Sequence, residues 1–133
     1  PITMASIFTK IINGDIPCYK IAEDQDNFAF LDINPNSKGH TLCVPKKEVD
    51  KILDMEEEAY MKLMAFSRKV GKAIEAAVPC KRVGMTVIGL EVPHVHVHLI
   101  PLQSMANATF QHKESLEPEE FEAVAEAIKA QLR

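Results

Sequence analysis

The segment from residue 94 to residue 98 reads His-Val-His-Val-His and constrains the fold more than any other part of this 133-residue chain. Successive side chains of a β-strand point to opposite faces of a sheet. The β-branched and aliphatic residues between the histidines favour such a strand, in which neighbouring imidazoles lie about 6.5–7 Å apart. We therefore expect one sheet face to carry His94, His96 and His98, and the other Val95, Val97 and Leu99.

The size and charge of the chain limit the classes of protein to which it can belong. A length of 133 residues and an apolar content of 47% fit one globular domain. The net charge of −4 argues against binding of extended nucleic acid, and no apolar run approaches the ~20 residues of a membrane span. Residues 1–5 resemble a non-native leader, so we predict a single domain over residues 6–133.

The three cysteines are scattered and odd in number, at Cys18, Cys43 and Cys80. Such a distribution is typical of free thiols in a reducing compartment, so we expect a cytoplasmic protein.

Hydrophobic periodicity and turn residues predict several adjacent strands with one long inserted helix. This order indicates an α+β fold with a mainly antiparallel sheet. The predicted strands are 18–23, 27–33, 40–45, 82–88 and 95–102. The predicted helices are a short turn at 6–13 capped by Ser6, a long helix at 56–78 and a C-terminal helix at 118–132.

A row of three histidines on one strand face is consistent with three kinds of chemistry. The side chains could be structural and satisfied by their neighbours. A His-x-His pair could chelate zinc, with His40 or Glu91 as the third ligand. A neutral imidazole could also attack phosphorus near pH 7 without a cofactor and form a covalent intermediate that water cleaves.

The segment 94–101, His-Val-His-Val-His-Leu-Ile-Pro, resembles the signature of the histidine-triad nucleotide hydrolases and transferases. Segment 6–12 with Ile16-Pro17 resembles the opening of that family. Segment 30–35, followed by Gly39-His40 and Val44-Pro45-Lys46-Lys47, resembles its second block. These blocks occur in order from residue 6 to residue 101, and together with the small size they indicate the Hint-like branch.

The resemblance implies a fold and an assembly. The expected fold is a five-stranded antiparallel sheet with one long central helix and a C-terminal helix. The expected assembly is a homodimer in which the long helix and the fourth strand meet their copies in the partner.

The resemblance also implies roles for individual residues. His96 would be the nucleophile, and His98 would contact the phosphate and help to protonate the leaving group. His94 and His40 would fix the imidazole geometry, and Asp32 would accept hydrogen bonds from ribose hydroxyls. The base pocket would be lined by Ile7, Phe8, Ile11, Phe30 and Ile33.

The chain departs from the family pattern close to the histidines. Leu90 stands where a glutamine is usual, Glu91 where a small hydroxyl residue is usual, Val83 where an asparagine contacts phosphate, and Leu102 where an arginine is usual. Several polar phosphate contacts are therefore replaced, and an ionised Glu91 would repel a phosphate.

Some family members bind structural zinc, and the corresponding positions here are Ser6, Thr9 and Glu48. These residues do not form a good zinc site, so we expect no metal and no cofactor.

The resulting hypothesis is an enzyme that cleaves nucleoside 5′-phosphoramidates or related nucleotidyl compounds through a covalent nucleotidyl-histidine. Its partner would be a small-molecule nucleotide, with no membrane and no extended nucleic acid. The alternative is a nucleotide-binding or sensing protein with little catalytic activity.

Overall fold

A five-stranded antiparallel sheet lies at the centre of the computed structural model, which describes residues 5–133. The strands are β1 (Lys20–Glu23), β2 (Asn27–Leu31), β3 (Thr41–Pro45), β4 (Arg82–Thr86) and β5 (Val97–Leu102). The helices are α1 (Ile7–Ile12), α2 (Glu57–Ala77) and α3 (Pro118–Lys129), and short 3-10 turns lie at Ile52–Asp54 and Met105–Ala108. The strand order in space is β1-β2-β3-β5-β4, so the predicted α+β fold is confirmed.

The first hairpin forms where the polar residues between β1 and β2 predict it. The Asp24 carboxylate accepts hydrogen bonds from the backbone N–H groups of Asp26, at 2.9 Å, and Asn27, at 2.8 Å. An aspartate that binds the backbone two or three residues ahead stabilises a tight reversal. The turn therefore brings β2 back antiparallel to β1, with Lys20 opposite Phe30.

The two faces of the sheet have different coverings. One face packs against α2 and α3 through Ala29, Leu31, Cys43, Val97 and Leu99. The opposite face carries a smaller apolar cluster of Phe28, Phe30, Leu42 and Val44, which α1 covers with Phe8. Because α1 has only six residues, it leaves part of this second face open.

The histidine run departs from the predicted strand at its beginning. Strand β5 begins at Val97, so His98 lies in the strand while His94 and His96 precede it. The neighbouring strand β3 ends at Pro45, which has no N–H to donate, and the Pro45 carbonyl contacts the His94 ring instead. The expected alternation holds beyond the strand, since Val95, Val97 and Leu99 lie in the core that α2 covers.

The spacing of the imidazoles also differs from that of an extended strand. The ring centroids of His96 and His98 are 4.8 Å apart, against the expected 6.5–7 Å. The His96 ring bends back to its own backbone, where Nδ1 contacts the His94 carbonyl.

Among residues 5–133, no helix is both long enough and apolar enough to cross a bilayer. The predicted leader at residues 1–5 falls almost wholly outside the described residues.

Candidate active site

His96 and His98 line a cleft of about 590 Å³ on the sheet face that α1 partly covers. Its other walls come from α1, from the end of β2, from the segment before the histidines and from the segment after β5. These walls comprise Ile7, Phe8, Asp32, Asn34, Leu42, Ile88, Gly89, Leu90, Glu91, Val92, Thr109, Phe110 and Lys113.

The hydrogen bond of the His96 ring assigns the position of its proton. His96 Nδ1 lies 2.8 Å from the backbone carbonyl oxygen of His94. A carbonyl can only accept, so Nδ1 carries the hydrogen, and the neutral ring keeps its lone pair on Nε2. The side chain has the tautomer that a nucleophile attacking through Nε2 requires.

His94 is completely buried, and both of its ring nitrogens have partners. Nε2 lies 2.7 Å from the Pro45 carbonyl and must donate to it. Nδ1 is then an acceptor, and the Ser6 hydroxyl donates to it over 2.6 Å. The carbonyl that holds His96 therefore belongs to a residue that is itself fixed at both ring nitrogens.

Ser6 connects the histidine run to the beginning of α1 and to a surface carboxylate. Its Oγ accepts the Thr9 N–H at 3.0 Å and so caps the helix. The Glu48 carboxylate accepts the Ser6 N–H and the Thr9 hydroxyl, each at 2.6 Å, and these two hydrogen bonds hold the pKa of Glu48 below its usual value. The structure thus brings Ser6, Thr9 and Glu48 together with His94, and hydrogen bonds join them.

A second chain of donors fixes the His98 ring. The backbone N–H of Asn36 donates to His40 Nδ1 at 3.0 Å, which leaves the His40 proton on Nε2. This Nε2–H faces His98 Nδ1 at 3.0 Å, so His98 accepts there and carries its own proton on Nε2. The two neighbouring histidines of the cleft therefore have opposite tautomers, one with a lone pair on Nε2 and the other with a hydrogen.

Burial keeps these histidines neutral. It lowers the pKa of His40 to about 3, with the neighbouring His98 as the second cause. It lowers the pKa of His98 to about 4, with further contributions from His96 and from the Lys113 ammonium. Both rings are therefore hydrogen-bonding groups without charge at neutral pH.

Asp32, His40 and His98 have the residue types of a metal site, with ligand atoms within 4.8 Å of one another. The hydrogen bonds of the His40 ring do not allow it to bind a cation. The Nδ1 lone pair of His40 is occupied by the Asn36 N–H, and its Nε2 carries a hydrogen, so the ring offers no free lone pair. The three residues fit a proton-bearing network better than a metal centre.

The remaining residues predicted for nucleotide binding lie at different depths. Asp32 borders the cleft, where its Oδ1 accepts the Asn34 N–H at 2.9 Å, and burial raises the pKa of its carboxyl. Phe8 and Ile7 line the cleft. Phe30 is buried behind Phe8, with ring centroids 5.6 Å apart. Ile11 packs on the apolar cluster beneath α1, and Ile33 is 72% exposed and is not part of the lining.

Phe110 and Lys113 are among the wall residues that sequence reasoning did not identify. The Phe110 ring lies 4.9 Å from the His98 ring, and the Lys113 ammonium lies 4.9 Å from the centre of the Phe110 ring. Segment 103–117 lacks the periodicity that identified the other elements. The sequence alone therefore did not indicate that Phe110 and Lys113 line the cleft.

The sequence matches the family model described as HIT domain over residues 13–105. It is 36% identical over 134 residues to the adenosine 5′-monophosphoramidase hnt1 of Schizosaccharomyces pombe, covering 98% of this chain and 100% of the relative. It is 42% identical over 102 residues to a HIT-like protein of Methanocaldococcus jannaschii, covering 71% of this chain and 77% of the relative.

The fold matches solved structures as well. A Hit-like protein from Bartonella henselae superposes with a TM-score of 0.83 and 30% identity, covering 96% of each chain. A HIT family protein from Bacillus subtilis superposes with a TM-score of 0.74 and 28% identity, covering 98% of this chain and 99% of the other.

Because His40 and His98 are buried and neutral in the folded protein, we expect it to lose stability in mild acid. The folded-state pKa values of His40 and His98 lie below the unfolded value of about 6.5. The unfolded chain therefore binds more protons below pH 6.5, and the free energy of unfolding falls as the pH decreases. We expect a slope on the order of 1 kcal/mol per pH unit for each histidine between pH 6.5 and pH 5.

Urea unfolding at several pH values measures this slope. His98→Asn should reduce it, while His112→Asn, at an exposed position, should leave it unchanged. An equal slope in wild type and His98→Asn would contradict the assignment of a neutral, buried His98.

Proposed function

This chain belongs to the HIT domain family, and on that basis we propose that it cleaves nucleoside 5′-phosphoramidates or related nucleotidyl compounds through a nucleotidyl-histidine on His96. Relatives named adenosine 5′-monophosphoramidase support nucleotide hydrolysis in general. The observation that carries the specific proposal is the pair of opposite tautomers. The His96 Nε2 lone pair and the His98 Nε2–H belong to adjacent rings of one cleft.

In the first step, His96 Nε2 forms a bond to the α-phosphorus as the bond from phosphorus to the amine breaks. The amine leaves with the bonding electrons and takes a proton from water. The substituted ring becomes cationic, and the His94 carbonyl at 2.8 Å from Nδ1 stabilises that charge.

In the second step, a water oxygen bonds to phosphorus, the bond to His96 Nε2 breaks, and the water loses a proton to the solvent. The products are the nucleoside monophosphate and the free enzyme.

In this mechanism His98 donates a hydrogen bond to a phosphate oxygen in both steps, instead of helping to protonate the leaving group as the resemblance implies. Its Nδ1 accepts from His40, so release of the Nε2 proton would leave an anionic imidazolate. A donor that stays protonated stabilises the charge that develops on the phosphate oxygens. Asp32, at the border of the cleft, supplies a carboxylate that accepts from ribose hydroxyls.

Intact-mass analysis after acid-free quenching tests the covalent step directly. We expect wild type mixed with adenosine 5′-phosphoramidate to gain one adenylyl group. His96→Ala should gain none and should lose about a thousandfold or more in turnover, because the nucleophile is absent.

His112→Ala, which removes an exposed histidine, is the matched control and should react like wild type. Undiminished turnover in His96→Ala would refute the mechanism. Tight binding of AMP without turnover or adduct would favour a binding or sensing role, for which the replaced polar positions Leu90 and Glu91 at the cleft provide the motivation.

A homodimer is part of the same proposal. Strand β4 forms an edge of the sheet, and an unpaired edge is a surface that favours association. Met85 on β4 is 45% exposed, and with Val83 and Leu99 it lines a groove against α2.

The free cysteines support the proposed cytoplasmic location.

Sedimentation equilibrium tests the assembly. We expect twice the chain mass of 14.8 kDa. Met85→Lys should shift the population towards monomer because it places a charge in the apolar contact. Met105→Lys, at a residue that is 78% exposed and lies outside β4 and α2, should not. A wild-type monomer at micromolar concentration would contradict the proposal.

A further inference from the structure

The segment between β5 and α3, residues 103–117, lies along the cleft and is attached to the loop that follows β2. The Asn36 side-chain amide donates to the Asn107 carbonyl at 2.8 Å, and the Glu114 N–H donates to the Pro35 carbonyl at 2.9 Å. These contacts join residues more than seventy positions apart in the sequence. These hydrogen bonds hold the segment in place, so it forms a fixed wall of the cleft.

Phe110 has a backbone conformation that residues other than glycine rarely adopt. Its φ of +62° lies in the left-handed region, and it is the only residue other than glycine with positive φ in the described part of the chain. Such a conformation is strained and persists where surrounding contacts enforce it, often at a functional site. Here it places the aromatic ring 4.9 Å from the His98 ring and 6.1 Å from the His40 ring.

Lys113 contacts the same ring. Its ammonium lies 4.9 Å from the centre of the Phe110 ring and donates to Asn36 Oδ1 at 2.7 Å. Asn36 is 1% exposed, and its backbone N–H is the group that fixes His40. The ammonium is thus held by a buried partner of the histidine network, and within residues 5–133 this single hydrogen bond leaves two of its three N–H donors available.

The cleft needs a cation to receive an anionic ligand. Its lining contains two carboxylates, Asp32 and Glu91, and its histidines at the centre include the neutral His98. Across residues 5–133, Lys113 is the sole lysine or arginine in this lining. A phosphate that entered without Lys113 would meet a net negative surface.

We propose that Lys113 is a phosphate-binding residue of this cleft, held in place by Phe110 and Asn36, and that it supplies charge recognition for the nucleotide. The inference rests on the proposed nucleotide substrate and adds the residue that reads its negative charge. Two free N–H donors and an aromatic support let the ammonium bind a phosphate oxygen without losing its contact to Asn36.

Calorimetric binding of AMP and of adenosine separates charge recognition from a structural role, because only AMP carries the phosphate. Lys113→Met keeps the aliphatic stem and removes the charge. We expect it to weaken AMP binding by roughly 10- to 100-fold, as for a lost hydrogen bond to a charged group, and to leave adenosine binding unchanged. Lys113→Arg should restore most of the preference for AMP, and Lys69→Met, on the exposed face of α2, should behave like wild type.

Equal losses for AMP and adenosine in Lys113→Met would overturn the proposal, because they would show a structural effect on the cleft. An unchanged ratio of the two affinities would overturn it as well. If wild type binds neither ligand, the proposed function itself fails. If wild type and Lys113→Met bind AMP with the same affinity, only the role of Lys113 is refuted.

Discussion

The hydrogen bond between the His96 ring and the His94 carbonyl is the contact on which the site depends. It sets the tautomer of His96, the proposed nucleophile, and bends its ring towards the chain. The contact holds because His94 is anchored on both sides, by the Pro45 carbonyl at 2.7 Å and by the Ser6 hydroxyl at 2.6 Å. Helix α1, the end of β3 and the histidine run therefore form one unit, in which loss of any anchor frees the His96 ring.

The unequal covering of the sheet makes room for this unit. The large helices bury one face and supply most of the apolar core, so the second face can carry polar groups without loss of the fold. On that face, His98 pairs across the sheet with Leu42. The same strand alternation that buries Val97 and Leu99 thus presents His98 to the cleft.

Periodicity and turn chemistry predicted the five strands, the long helix and the C-terminal helix, since local patterns determine these elements. The start of β5 was wrong by two residues because Pro45, which is distant in sequence, ends the neighbouring ladder. Lys113 and Phe110 could not be predicted. Their places depend on contacts with Asn36, His40 and His98, and their segment has no repeating pattern. Local patterns therefore gave the scaffold, and long-range contacts completed the site.

Long-range ¹H–¹⁵N NMR of the histidine side chains tests the assigned tautomers, because it reports which ring nitrogen carries the proton. In the neutral rings we expect the Nδ1–H tautomer for His96 and the Nε2–H tautomer for His40, His94 and His98. A His96 ring protonated on Nε2, or a His98 ring protonated on Nδ1, would contradict this expectation, because the lone pair for attack or the donor for phosphate would then be missing.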